Sequence, residues 1–305
     1  MMQAEGSCTM AASPARIAFV TMVRDDHFFL RIWVDYYARH VPRHHLFILM
    51  DGFDQTPPDF AAGCQIITLP RSEPGPGWDM KRWTMLADVN AMLLGRFDVV
   101  VLNDVDEIIV PDPACGIPLL DAVARAREVG VISPFAVEVV HRYDLCPDRI
   151  DPDRPILRQR PHVRVNSSYA KPCISSARLK WSLGGHRSDF PQLNLDNCLF
   201  LFHLRYLDRD MLLSRQQTRL AIANARDADE AEVAGIGWTK STEAIERFLI
   251  SLQASPPQEK NFQFDWQRRR MMREWRKDSK GDLWRHGKVV TSQTYIIPER
   301  FLDAF

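Results

Sequence analysis

Phe97-Asp98-Val99-Val100-Val101-Leu102-Asn103-Asp104-Val105-Asp106-Glu107-Ile108-Ile109-Val110-Pro111-Asp112-Pro113 sets a cluster of acids between two apolar, β-branched runs. The first run reads as a buried parallel strand, because strands covered on both faces are continuously apolar. In open α/β sheets, ligands bind at the carboxyl ends of such strands. Asp104 and Asp106 flank a single residue, so in an extended chain they share a face and converge. Close carboxylates repel unless a cation lies between them. Hard oxygen donors of this kind suit Mg²⁺ or Mn²⁺, and Mg²⁺ commonly joins a few carboxylates to substrate phosphates. The stretch therefore predicts a divalent metal held against a phosphorylated ligand. Asp-x-Asp alone is frequent in surface turns. Its place at the end of an apolar strand, with Glu107 and a second apolar strand behind it, is what favours a site.

Outward from this stretch, strand and helix patterns alternate. Residues 16–23, 46–50 and 65–69 read as strands, and the last two close on Asp51-Gly52 and Pro70. Helical spacing of Phe29, Ile32, Trp33, Tyr36 and Tyr37 predicts a helix over 27–40, with Asp25 or Asp26 as its cap. A Pro/Gly-rich loop over 70–77 precedes a helix at 79–94. Further on, 118–128 and 134–140 read as helix and strand, and 144–165, with Pro147, Pro152, Pro155 and Pro161, as irregular. A strand at 198–204 is followed by helices at 208–225 and 239–254. The tail carries a helix at 264–277 and a strand-like segment at 288–291. Alternation of this kind predicts an α/β fold, a mainly parallel sheet with helices on both faces.

The chain has 305 residues, enough for one large domain with an appendage. Lys plus Arg equals Asp plus Glu at 39 each, so net charge gives no reason to expect a nucleic-acid partner. Cys8, Cys64, Cys115, Cys146, Cys173 and Cys198 are scattered without a C-x-x-C pair, a pattern that predicts reduced thiols. Residues 1–14 lack the features of a signal peptide and no apolar run is long enough to span a bilayer, so the expected location is the cytoplasm.

Val20-Thr21-Met22-Val23-Arg24-Asp25-Asp26, with Phe28, Leu30, Trp33 and Tyr36, resembles the opening of bacterial family 2-like glycosyltransferases with a GT-A fold. Asn103-Asp104-Val105-Asp106-Glu107 resembles their DxD motif, and Trp181 to His186 and Leu201 to Tyr206 resemble later segments of the family. The likeness runs over about residues 16–210. It implies a GT-A-like (Rossmann-like) sheet and transfer of a sugar from a nucleotide donor, usually with Mn²⁺ or Mg²⁺ and with inversion. The expected organisation is a flexible N-terminus at 1–15, a glycosyltransferase domain at 16–255 and a basic helical appendage at 256–305.

In that frame Asp106 is expected on the metal and Asp104 on the ribose or metal. His203 is the third ligand candidate, and an imidazole shifts preference towards Mn²⁺; a strand-end histidine is otherwise an ordinary core residue. Thr21, Val23, Arg24 and Asp51 lie at strand ends where a nucleoside belongs, although Asp51-Gly52 is also a common turn pair. Lys81 and Arg82, in a first helical turn where cations oppose the helix dipole, are candidates for the diphosphate, as is Lys171. Inversion needs a carboxylate base for the acceptor hydroxyl. Asp189, after the flexible Gly184-Gly185, is the first candidate, then Glu138 and Asp196; each is also readable as a surface acid or cap.

Between Arg268 and Lys280 lie seven basic residues, with Met271, Met272 and Trp275 expected on one helix face. Such a segment suits the anionic inner face of a membrane, where a lipid-linked glycan acceptor would reside, or a helix packing its apolar face on the domain; the second reading is slightly preferred. Two other functions compete with glycosyl transfer. A phosphotransferase of the haloacid dehalogenase type also uses Asp-x-Asp, but on an early strand. A catalytically silent nucleotide-sugar-binding scaffold would share the donor site without the base.

Overall fold

Both faces of the first strand are buried. In β1 (Ile17–Val23), Ile17 and Phe19 enter one core and Ala18 and Val20 another, as the two-residue period of a strand requires. A layer of helix lies on each side. α1 (His27–Tyr37) brings Phe29, Trp33 and Tyr37 to the first core, and α2 (Trp78–Leu93) brings Trp83, Leu86 and Leu93 to the second. The computed structural model describes residues 14–73, 75, 77–224, 239–279 and 281–305. Most of the predicted N-terminal segment 1–15, with Cys8, lies outside them.

β2 (Leu46–Asp51), β3 (Gln65–Leu69) and β4 (Val99–Leu102) join β1 in a parallel group of order β3-β2-β1-β4. After β4 the chain turns and returns as β5 (Glu107–Pro111). The hydroxyl of Tyr36 donates to the Ile109 carbonyl (2.9 Å), and the Ile109 amide donates to the hydroxyl of Tyr37 (3.0 Å). α3 (Leu119–Ala124) and α4 (Ala126–Val129) occupy the predicted helix 118–128, which divides at Arg125. β6 (Val131–Val140) begins earlier than expected and passes through Pro134. Its register against a neighbour shifts between Ser133 and Phe135, and such an irregularity is where a strand accepts proline.

The stretch 144–165 is more regular than expected. It holds α5 (Ile156–Gln159) and β7 (His162–Val165), elements of four residues, too short to display a period. β8 (Ile174–Ser175) and β9 (Leu195–Tyr206) follow. β8 pairs antiparallel with β4 and β6, while β9 lies parallel to β6 and antiparallel to β5. The result is a mixed α/β architecture with a mainly parallel central sheet flanked by helices, compatible with a Rossmann-like fold.

α6 (Arg209–Asn224) and α7 (Thr242–Gln253) cover Tyr206 and Val140; the last residue of the predicted helix 208–225 lies outside the described residues. α8 (Asp265–Arg273) stops four residues before the predicted end. Met271 is buried while Met272 is exposed and Trp275 lies past the helix, so the expected Met/Trp face does not form. β10 (Arg276–Lys277) pairs with β11 (Trp284–Arg285), and β12 (Tyr295–Ile296) pairs with β7. The strand-like segment 288–291 makes a single bridge, Asn166 to Val290. Residues 256–305 place Phe262, Phe264, Phe301 and Phe305 in the larger core.

The expectation of reduced thiols is overturned at two positions. Cys115 and Cys198 form a disulfide across 83 residues. The antiparallel register sets Pro111 opposite Leu199, which carries the two cysteines together at one end of the β5–β9 pair. Pairing of this kind depends on register and is invisible to spacing. It also removes the cysteine argument for a cytoplasmic location, since structural disulfides belong to oxidising compartments. Cys64, Cys146 and Cys173 are free thiols. Among the described residues, no helix is long and apolar enough to cross a membrane.

At that same end, Asp112 accepts from Arg300 at 2.6 and 2.9 Å. Burial pushes the Asp112 carboxyl up, but Arg300 and the Ala114 amide outweigh it and hold it below the ordinary carboxylate range. A carboxylate of this kind stabilises the fold above its unfolded pKa, about 4, and ceases to do so as pH falls through the folded value. Arg300→Ala is expected to lose about 1–2 kcal/mol of stability in urea at neutral pH. The gap between variant and parent should close as the titration is repeated below about pH 4.

Candidate functional site

The DxD residues lie in a turn. Val101 and Leu102 end β4, and Asn103 to Asp106 bend the chain so that the Glu107 amide donates to the Asp104 carbonyl at 3.0 Å. Asn103 pins the bend, its Nδ2 donating to the Glu107 carbonyl. The extended geometry expected from the spacing is therefore absent, and the two aspartates meet different partners.

Asp104 meets cations. Nζ of Lys171 lies 2.6 Å from Asp104 Oδ2 and 2.7 Å from Glu107 Oε1, and Arg82 stands 3.7 Å from Asp104 Oδ1. Lys171 and Glu107 are buried. Burial would pull the Lys171 pKa down, but the two carboxylates drive it well above the usual lysine range. Burial raises the Glu107 carboxyl, and Lys171 opposes that only in part, because it is shared with Asp104. Asp104 itself is held far below the ordinary range by Lys171 and Arg82 against the effect of burial.

Asp106 faces the other way. Its Oδ2 lies 3.9 Å from Nε2 of His203 and 3.5 Å from Arg215 of α6. Burial pushes its carboxyl up, but His203 and Arg215 hold it below the usual value. Arg215 also pairs with Asp26, one of the two residues expected to cap α1, and lies over the Phe29 ring. One turn further on, Arg219 is pulled down to about 10 by burial and by the like charges of Arg205 and Arg215.

Strand register explains why His203 is here. His203 on β9 stands opposite Glu107 on β5 and beside Glu138 on β6, which in turn faces Arg164 on β7. Residues in register share a face, so four strands carry a transverse row of Glu107, His203, Glu138 and Arg164. Nδ1 of His203 is 3.3 Å from Glu138 Oε1, Arg164 ion-pairs with Glu138, and the Tyr169 ring stacks on the imidazole at 3.7 Å. His186 bonds the Ser168 carbonyl at 2.6 Å, and burial together with Lys171 pushes it down to about 3.

The remaining predicted residues divide into two groups. Thr21 and Val23 are buried on β1; Thr21 Oγ1 has no hydrogen-bond partner. Arg24 donates to the Asp51 carbonyl at 2.6 Å and pairs with Asp54, while the Asp51 carboxylate accepts from the Ser72 amide at 3.1 Å. Arg82 connects this corner to the cluster, since Asp51 adds to the acids that stabilise its charge. Three others lie elsewhere. Lys81 is exposed on α2. Asp189 accepts from the Lys180 amide at 2.9 Å and closes a local turn. Asp196 accepts from the Cys198 and Leu199 amides and pairs with Arg125 at 2.6 Å. It is the second residue of β9, seven positions before His203 and on the far side of an irregularity in the strand's register.

The cluster fits Mn²⁺ or Mg²⁺ only in part. Among the described residues, no group of three His, Cys, Asp or Glu side chains is disposed to enclose a metal. Asp104 does not suit a ligand role, being held by Lys171. Asp106 and Nε2 of His203 do fit as a pair, with Glu138 on Nδ1 fixing the ring as carboxylates do behind metal-bound histidines. Two protein ligands suit an ion that keeps waters and takes substrate phosphates.

Arg164, Tyr169, Arg205, Arg215 and Arg219 were not anticipated as site residues, and Asp26 was expected only as a candidate helix cap. Arg215 and Arg219 carried a readable signal, because residues one turn apart share a face of the predicted helix. Arg164 carried none, lying in the stretch read as irregular. Compared with known proteins, the chain matches no family model and no curated protein.

Removing a buried cation leaves its carboxylates uncompensated. Lys171→Met is expected to destabilise the fold by about 3–5 kcal/mol in urea unfolding. Adding Glu107→Gln should recover part of that loss, and strict additivity of the two substitutions would mean that the pair is uncoupled.

Proposed function

We propose that the protein is a metal-dependent glycosyltransferase with a GT-A-like sheet, moving a sugar from a nucleotide donor, UDP-linked in the preferred reading, to a glycan or lipid-linked glycan. The observation that carries this reading is the placement of Asp106, His203, Lys171, Arg82 and Arg215 together at the carboxyl edge of the parallel strands, where α/β sheets take ligands. Fixed cations there suit a diphosphate. Arg219, its pKa lowered first by burial and then by the like charges of Arg205 and Arg215, adds a further cation on the α6 side of Asp106.

In this reading the nucleoside lies by Thr21, Val23, Arg24 and Asp51. Arg82 and Lys171 contact the diphosphate and Asp104 orients Lys171 beside it. Asp106 and His203 hold Mn²⁺ or Mg²⁺, which supplies a Lewis acid for the departing diphosphate. Glu138, gripped by His203 and Arg164, acts as a positioning carboxylate and keeps Nε2 aimed at Asp106. The contacts of Asp189 and Asp196 leave both outside this cluster.

Thermal unfolding of the purified protein with UDP or GDP tests the proposal. With Mn²⁺ the midpoint is expected to rise by several degrees, as any ligand of the native state requires, and EDTA should reverse the rise. Asp106→Asn should abolish the metal-dependent part alone. A shift that survives both EDTA and Asp106→Asn would remove the metal from the reading, and no shift with any nucleotide would remove the donor.

A further inference from the structure

α8 buries one side and exposes the other in an unusual composition. Gln267, Arg268 and Met271 face inward, and the Arg268 guanidinium lies over the Phe135 ring and donates to the Asp196 carbonyl at 2.6 Å. Wound at about 3.6 residues per turn, the outward side carries Arg269 and Arg273 at its centre, with Trp266 along one margin and Met272 along the other. Trp266 is 56% exposed and Met272 47%, a large apolar area for a helix of nine residues. β10 continues the face with exposed Arg276 and Lys277.

Charge on this face is one-sided in a chain whose total is zero. With Arg268 turned inward, residues 265–277 leave Arg269, Arg270, Arg273, Arg276 and Lys277 against Asp265 and Glu274. Glu274 is engaged by Arg270 at 3.1 Å, Lys277 meets Asp282 at 2.8 Å, and Asp278 is taken by Arg187. Arg269 and Arg273 at the centre face solvent; among the described residues Arg269 has no acid within ion-pair distance, and Arg273 meets the Glu274 carboxylate at 4.0 Å.

We infer that the α8–β10 face docks on an anionic phospholipid surface. Two arginines flanked by an indole and a thioether match the layered chemistry of a bilayer interface. Guanidinium groups meet phosphates while Trp and Met enter the region of the glycerol and upper acyl chains. A duplex nucleic acid would use the arginines and leave both apolar margins in water. Arg270 lies over the Trp266 ring, 5.5 Å from its centroid, which occupies one of the faces a base would need for stacking. The inference holds whatever reaction the site performs.

Co-sedimentation of the full chain with vesicles decides it. The protein is expected to pellet with phosphatidylcholine vesicles containing phosphatidylglycerol, and not with phosphatidylcholine alone or at high salt. R269E/R273E should weaken partitioning by at least about tenfold, and Trp266→Ala with Met272→Ala by several-fold at unchanged charge. All four side chains are solvent-facing, so the melting midpoint should hold and a folding defect would be recognised. Failure to bind anionic vesicles overturns the inference, as does binding that ignores R269E/R273E, or equal binding of a duplex oligonucleotide that the apolar pair does not affect.

Discussion

One buried ammonium holds the centre of this molecule. Lys171 bridges Asp104, at the end of the last parallel strand, and Glu107, at the start of the strand that runs back. Without that cation the tight turn between them would confine two carboxylates in a desolvated space, where like charges resist joint ionisation. The turn lets Asp106 point away from Asp104, and Asp106 can therefore meet His203 and α6. The mixed half of the sheet, the imidazole and the helical arginines are all arranged around a bend that Lys171 makes tolerable.

The transverse row on β5, β9, β6 and β7 extends the same logic. Glu107, His203, Glu138 and Arg164 lie in register across the four strands; His203, Glu138 and Arg164 pair with one another from strand to strand, while Glu107 is held by Lys171. Such a row depends on register: a slip of one residue would turn every member to the opposite face of the sheet. The disulfide between Cys115 and Cys198 and the Asp112–Arg300 pair lie at the far end of the β5–β9 ladder. They oppose that slip from a distance. Support and site are therefore two ends of one hairpin-like pair whose strands are far apart in sequence.

What could be read from the residues follows from the range of the interactions involved. The strand 65–69, the start of α1 and the extent of α2 to within a residue were legible because they depend on local periodicity and on nearby glycine and proline; α1 ends at Tyr37, three residues short of the predicted end. Asp104 and Asp106 were legible as a site but not in their geometry, since the turn is fixed by Asn103 and by a lysine sixty-odd residues away. Asp189 is the first base candidate in the sequence because Gly184-Gly185 reads as a flexible loop. Gly185 instead packs under Trp83, where an added Cβ would lie 2.3 Å from a ring carbon, and its φ of +67° is one that side-chain-bearing residues rarely adopt. Close packing called for glycine there, and composition alone cannot distinguish that from flexibility. The row partners and the disulfide belong to strand register, which a single sequence does not display.

The two tyrosine hydroxyls on Ile109 bear on how the protein behaves in company. Among the described residues β5 pairs with β9 alone, so its outer side would ordinarily present open amide and carbonyl groups, a template for a strand from another molecule. Tyr36 and Tyr37 occupy both groups of Ile109 from a helix already anchored in the core. The strand that carries Glu107 is thereby capped against recruitment by its own kind, and a crowded solution of this protein has one fewer seam along which to aggregate.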